Sequence, residues 1–439
     1  MQKERMHSVV LNPKLCKGCV NCIKHCPTEA IRIRSGKAII IEEKCIDCGE
    51  CIRHCPSHAQ LVTTDTLAEF KNYKVNIAIV PPALYAQFPP DLPLEEIIQG
   101  CLNIGFTDVY DMSRSYEYVS LAIEKYLTET ANLRKPLIST HCPVVTRLIQ
   151  MKFPELIKQL LPLMPVVEIA AIQARAKFTQ ELNLRAEDIG IWFISSCPAM
   201  VTMAKECKNE INGVISVAKI YGEILKILSD CKQTKEKVTS SSYGWGCCVA
   251  GGSVRATGIV NSLVVDGIHD VFDVLEQVSI NKMPDVDYIE CSSCAGGCVG
   301  GVLNAENKFV AEKNIKLKIR HQRDTEEKNR ELVLKSSIKQ EKLSVDINKN
   351  ENLQAKTVMK LDENIILAMK KLQDIEKILS ELPGLDCGSC GAPSCQSLAE
   401  DIVQGKACES DCVFKLRTRV ETLAGEMKEL SNKINVNKG

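Results

Sequence analysis

The residues with the most chemistry in this sequence are thiols, 23 cysteines in 439 residues. Cys294 and Cys298 stand four apart in Ser292-Ser-Cys-Ala-Gly-Gly-Cys298, and the two glycines between them let the backbone fold closely around something bulky. Two thiolates at that spacing could hold a single metal, but a zinc ribbon needs a second C-x2-C pair nearby, and none follows. Further candidate ligands lie upstream, each at the end of an apolar run. Cys142 closes Lys135-Pro-Leu-Ile-Ser-Thr-His-Cys142, and Cys197 closes the run that starts at Ile189 and reads IGIWFISSC. Three strand-like runs ending in cysteine imply one cluster held where the carboxyl ends of a sheet's strands meet.

Two more cysteine sets flank this one. Residues 16–27 and 45–56 each read C-x2-C-x2-C-x3-C-P, an internal repeat 29 residues apart. That run binds two 4Fe–4S cubes, with the fourth cysteine of each repeat ligating the other cube. One cube would take Cys16, Cys19, Cys22 and Cys55, the other Cys45, Cys48, Cys51 and Cys26. A tetrahedral zinc knuckle has no use for the third cysteine or the proline. Two such clusters are an electron conduit. Near the carboxyl end, Cys387, Cys390, Cys395 and Cys412 follow a C-x2-C-x4-C-x16-C spacing, with Cys408 left over as an alternative to Cys412. This resembles the small four-cysteine domain of electron-transfer subunits, which implies a third cube there; a zinc site is the alternative.

The elements that must position these thiols alternate between strand and helix patterns. Short apolar runs at 75–82, 107–110 and 189–198 read as strands. Periodic stretches at 92–104, 116–127, 144–152, 154–161, 167–182 and 215–228 read as helices. Alternation of this kind gives an α/β fold with a mostly parallel sheet. Residues 240–258, with Cys247 and Cys248, read as a loop of small residues before a helix from Ser253. Cys101, Cys207, Cys231, Cys247, Cys248 and Cys291 read most simply as small core residues. The charged stretch 311–356 reads as a linker. The stripes at 361–382 and 413–434 read as amphipathic helices that want a partner, within the domain or across a homodimer.

The expected organisation is therefore an α+β ferredoxin-like domain at 1–65, a cluster domain at 74–310, the linker at 311–356 and a small helical cluster domain at 357–439. Bulk properties restrict the function. Lysine plus arginine equals aspartate plus glutamate at 55 each, so no global charge argues for nucleic acid or a membrane surface. No apolar run approaches the ~20 residues that cross a bilayer. The N-terminal stretch lacks an apolar signal core, and so many thiols without one suit a reducing cytoplasm.

The central motifs resemble those of the iron-only (FeFe) hydrogenases. That family usually carries T-S-C-C-P, M-P-C-x-x-K and M-A-C-P-G-G-C, here Ser139-Thr-His-Cys-Pro143, Ser195-Ser-Cys-Pro-Ala-Met200 and Ser292-Ser-Cys-Ala-Gly-Gly-Cys298. The resemblance implies an α/β hydrogenase-type domain with an H-cluster, a 4Fe–4S cube on Cys142, Cys197, Cys294 and Cys298 joined through Cys298 to a di-iron unit with carbonyl and cyanide ligands. It implies dihydrogen and protons as substrates, a ferredoxin, other redox carrier or signalling protein as partner, and separate maturation proteins for the di-iron unit. Three catalytic positions depart from the family. His141 stands where a relay cysteine is usual, Met200 where a lysine holds cyanide, and Ser292 where a methionine packs on the bridging carbonyl. Glu117 and Glu124 lie near the usual relay glutamates. Such departures resemble the divergent, sensory branch, with slow turnover. Two alternatives stand beside that reading: a non-catalytic relative with a cube and no di-iron unit, and an electron-transfer subunit in which this domain is scaffold.

Overall fold

The computed structural model describes residues 7–130, 133–207, 210–227, 240–323, 333–334, 353–356, 361–362 and 364–436. Cys231 and most of the expected linker lie outside the described residues.

The chain divides into two compact units, which differ from the sequential domains expected from the sequence. The larger comprises Met1–Val9, Ile46–Gly49 and Val62–Lys356; the smaller comprises Val10–Cys45, Glu50–Leu61 and Thr357–Gly439. The ferredoxin-type repeats and the C-terminal four-cysteine region thus belong largely to one unit.

That smaller unit holds the antiparallel pair β2 (Ile31–Arg34) and β3 (Lys37–Ile40), after a short β1 (Val9–Leu11) that pairs with β4 (Gln60–Val62). Its C-terminal helices are Ile365–Glu381, Cys395–Val403 and Val413–Val436. Ile375, Leu398, Ala399 and Cys412 form their core. Asp401 accepts from both Arg32 (2.7 Å) and Arg34 (2.6 Å). Gly391 passes so close to β2 that its carbonyl accepts the Ile33 N–H at 2.8 Å; a Cβ there would lie 2.1 Å from the Ile33 carbonyl oxygen.

The larger unit contains two parallel sheets, where the sequence suggested one. In the first, β5 (Val75–Val80), β6 (Asp108–Asp111), β8 (Ile189–Ser195) and β9 (Gly213–Ser216) run in the order β6-β5-β8-β9. In the second, β7 (Leu137–Ile138), β10 (Ser262–Asp266) and β11 (Tyr288–Ser292) run β10-β11-β7. The two faces of the first sheet feed two cores, because side chains alternate along each strand. Ile77, Ile79, Ile191 and Phe193 enter one core, and Ala78, Val80, Trp192 and Ile194 the other. Burial on both faces explains why these strands read as continuous apolar runs. The stretch expected as one helix from 215 is β9 followed by the helix Val217–Ile227. The helix Lys308–Arg323 crosses into the expected linker and buries Ala311, Ile315 and Ile319 in the second core, so the larger unit continues past residue 310. Among the described residues no helix is long and apolar enough to span a membrane.

Candidate metal centre

The carboxyl ends of β7, β8 and β11 deliver the central thiols. Cys142 and Cys197 occupy the N-cap positions of the helices Pro143–Lys152 and Pro198–Glu206, with proline at the first helical position of each. Proline there gives up an N–H that the helix does not use and sets φ for the first turn. Both half-buried thiols therefore sit at the positive ends of helix dipoles, which favours an anionic cluster. The third motif turns back on itself at Gly296 (φ +85°) and Gly297 (φ +87°). A Cβ on Gly297 would lie 2.7 Å from the Ala250 nitrogen and 2.9 Å from the Cys248 oxygen.

Hydrogen bonds hold the three motifs in register. The Cys291 N–H donates to Ser139 Oγ at 3.1 Å, joining the first motif to β11. The Leu303 N–H donates to the Ser196 carbonyl at 3.0 Å, joining the third to the second. The Val299 N–H donates to the Cys248 carbonyl at 3.1 Å, and the Gly296 N–H to Asp266 Oδ2 at 2.6 Å.

Electrostatic coupling records how closely the four thiols meet. Burial pushes the Cys197 thiol up, and Cys294 and Cys142 beside it push further. Cys298 is raised by burial and then by Cys197, Cys142, Cys294 and Cys248. Four thiolates gathered out of water repel one another, and iron offsets that repulsion. The structure thus brings together all four residues expected as ligands of one cube.

The surroundings of Cys298 are specific. His141 Nε2 lies 3.8 Å from Cys298 Sγ, and its ring centre lies 4.9 Å from that of Tyr116, tilted at 43°. Desolvation pushes His141 down to about 4, so the imidazole is neutral near pH 7. A cavity of about 20 Å³, room for roughly one water, is lined by His141, Tyr116, Ser120, Cys247, Ser253 and Tyr288. Met200 and Ser292 are buried, at 6% and 7% exposure. The Cys247 and Cys248 thiols donate to the carbonyls of Tyr243 (3.5 Å) and Trp245 (3.2 Å), as small core residues do.

Two buried carboxylates also flank the site. Glu117 is fully buried and accepts from the Ser241 N–H (2.6 Å) and hydroxyl (2.7 Å). Glu290 accepts the N–H groups of Gly251 (2.9 Å) and Val254 (2.8 Å), and burial raises it above the ordinary carboxylate range. Sequence reasoning missed Glu290, although its place four residues before Cys294, on the apolar strand β11, was a usable signal.

The other cysteine sets also gather. Cys22 is raised to about 11 by burial and then by Cys19, Cys16 and Cys55, the set expected for one ferredoxin-type cube. Cys51 is raised by burial, then by Cys45 and Cys26. The repeat is visible in three dimensions: Cys26 Sγ accepts the Ala30 N–H and Cys55 Sγ the Ala59 N–H, each at 3.2 Å. His25 and His54 stack at 3.6 Å. Cys48 falls in the segment that clusters with the larger unit. In the C-terminal region Cys390 is raised by burial and faces Cys387 and Cys412, while Cys395 packs on the same core. Cys408 is exposed and bonded to Ser410 at 3.1 Å, so Cys412 is the residue that meets the set.

Residues 74–257 match the family model described as the iron only hydrogenase large subunit, C-terminal domain. This central part of the chain is similar to the iron-only hydrogenase family. Residues 8–65 match a 4Fe-4S dicluster domain, and residues 382–414 match an Fe-S cluster domain. Among solved structures, the chain is similar to HydA(deltaEFG), a structure concerned with stepwise [FeFe]-hydrogenase H-cluster assembly, at 11% identity and a TM-score of 0.49, covering 64% of this chain and 92% of that one. A variant of [FeFe]-hydrogenase HydA1 from Chlamydomonas reinhardtii is similar at 12% identity and a TM-score of 0.49, covering 61% and 88%. The uncharacterized protein MJ0119 of Methanocaldococcus jannaschii is 35% identical over 60 residues, which span 14% of this chain and 27% of that relative.

The donor set fits an iron–sulfur cube: four thiols lie near one another, Cys197 and Cys298 raised by burial and by the thiols beside them. Beside these thiols Met200 is buried and offers a thioether with neither charge nor N–H.

Proposed function

We propose that this chain is a divergent hydrogenase-type redox protein that responds to dihydrogen slowly and reports it, as a sensor does, to a redox or signalling partner. The observation that carries the reading is that Cys298 lies among Cys142, Cys197 and Cys294, near enough for each to raise its thiol, with His141 Nε2 3.8 Å from Cys298 Sγ. Cys142, Cys197 and Cys294 would hold a cube, and Cys298 would hold it and bridge outward. A di-iron unit, supplied by separate maturation proteins, provides the chemistry of binding and splitting dihydrogen. The chain's part is to carry the proton and the electrons. Neutral His141 can take a proton at a ring nitrogen beside Cys298 and release it towards the cavity it lines with Ser120 and Ser253. Glu117 and Glu290 are the nearby buried carboxylates. Met200 would offer no positive charge to an anionic ligand of that unit, which would slow turnover while Cys298 still held the cluster. Electrons pass through the two ferredoxin-type cubes and the C-terminal cube, and the thiol-rich chain works in the cytoplasm.

One observation favours a second reading, in which only the cube is bound. It is Met200 itself, buried at 6% exposure where an anionic ligand needs a cation. Electron paramagnetic resonance separates the two. Under dihydrogen with no other reductant, the accessory cubes of the matured protein should become reduced, and Cys298→Ala should abolish this. Cubes that stay oxidised under dihydrogen, yet reduce normally with dithionite, would overturn the dihydrogen reading.

A further inference from the structure

The C-terminal helix Val413–Val436 extends about 36 Å at 1.5 Å per residue. Its lower end is tied into its own unit: Lys415 pairs with Glu381 at 2.8 Å and with Glu409 at 3.7 Å. Beyond that tie lies a bare apolar seam. Val413, Leu416, Val420, Leu423, Met427 and Leu430 are 53, 45, 56, 50, 72 and 59% exposed. Their spacing is three, four, three, four, three, the 3.5-residue period of a coiled-coil seam, with valine or methionine at one position of each heptad and leucine at the other. A run of six large apolar side chains in water is a surface that expects a cover.

The charges flanking the seam identify the cover. Two residues occupy successive positions on one edge, Arg419 and Glu426, and neither makes an ion pair with a described residue of its own chain. Arg417, on the other edge, is already paired with Glu421 at 2.9 Å. If a second copy runs antiparallel, Val413 meets Leu430, Leu416 meets Met427 and Val420 meets Leu423 of the other copy. In that register Arg419 of each copy lies beside Glu426 of the other, twice over. A parallel pair would set Arg419 against Ala424 and Glu426 against Ser431, leaving both charges unanswered. We infer that this helix forms an antiparallel two-stranded coiled coil with the same helix of a second copy, making the protein a homodimer with a two-fold axis near Glu421 and Thr422. The inference is independent of what the central site binds. It also sets the four-cysteine domains of the two copies at opposite ends of the rod.

Sedimentation of the anaerobically purified full chain tests it. The wild type should sediment at about twice 48.6 kDa at micromolar concentration. Leu423→Glu should sediment as a monomer with unchanged iron content. Arg419→Glu should weaken the dimer about tenfold by replacing two attractions with two repulsions. Adding Glu426→Arg to Arg419→Glu should restore wild-type affinity, because the swap recreates both pairs. A monomeric wild type would overturn the inference, as would a dimer indifferent to Leu423→Glu but broken by Leu372→Glu on the neighbouring helix. A double variant no tighter than Arg419→Glu would exclude the antiparallel register.

Discussion

Removing the Asp47 carboxylate should loosen the central site from a distance. Asp47 is buried, and its oxygens accept from the N–H groups of Ser8 (3.0 Å) and Val9 (3.3 Å), from Thr202 Oγ1 (2.7 Å) and from Arg147 (3.0 Å). Arg147 lies on the helix that Cys142 caps, and Thr202 on the helix that Cys197 caps. One carboxylate therefore fixes two of the helices that present cube ligands. Arg147 is 8% exposed, and its only other carboxylate among the described residues is Glu206, which is 65% exposed. In Asp47→Ala a buried guanidinium loses its main counter-charge, a change worth about 3–5 kcal/mol, partly relieved by Glu206. For a unit of this size that is a fall on the order of 6–15 °C in the unfolding midpoint. The assay is thermal unfolding of reconstituted protein under anaerobic conditions, with iron counted before and after dialysis against chelator. Asp47→Ala should lose iron faster than wild type, and Arg147→Met added to it should recover much of the midpoint, because a missing pair costs less than a broken one. An unchanged midpoint and iron retention in Asp47→Ala would refute the reasoning.

Further outcomes follow from other residues. Gly297→Ala should lose about four iron atoms, one cube, since a Cβ would press on the Ala250 nitrogen at 2.7 Å and φ is +87°; iron content equal to wild type would contradict it. Met200→Lys should raise dihydrogen turnover if a di-iron unit is bound, by returning a cation to an anionic ligand; with a cube alone, the buried ammonium should only lower the unfolding midpoint. Burial lowers Lys318 to about 8, although it donates to the carbonyls of Pro89 and Leu92. Its folded pKa lies below the ordinary 10.5, so folding favours the neutral form. That stabilisation is complete above pH 10.5 and lost as pH falls through about 8. Across this window wild-type stability should gain on Lys318→Met, and parallel pH profiles would count against it.

Much of the site could be read from cysteine spacing, because cluster ligation demands fixed residue types at fixed intervals. The repeat at 16–27 and 45–56 and the runs ending at Cys142 and Cys197 set out the expected thiol groups, and the helix after Cys142 was legible, whereas the helix Pro198–Glu206 after Cys197 was not. The strands β5 and β8 were legible as apolar runs because both faces are buried, whereas β9 lay hidden at the start of a stretch that reads as helix. Other features left no local trace. That β7 and β11 share one sheet while β8 lies in another depends on long-range pairing. Lys308–Arg323 reads as charged linker, since only Ala311, Ile315 and Ile319 on one face reach the core. Asp401 gave no sign that it would hold Arg32 and Arg34, some 370 residues away in the chain. Glu290 was hidden because a carboxylate on an apolar strand is defined only by the N–H groups of Gly251 and Val254 that fold over it.

The most direct test of the central claim is an infrared spectrum of anaerobically purified, maturase-treated protein, in the window between water and protein bands where carbonyl and cyanide absorb. The account predicts such bands, and predicts that they shift when argon is replaced by dihydrogen. Protein with its cubes intact and no absorption in that window would contradict it, leaving Cys142, Cys197, Cys294 and Cys298 as the ligands of a cube alone.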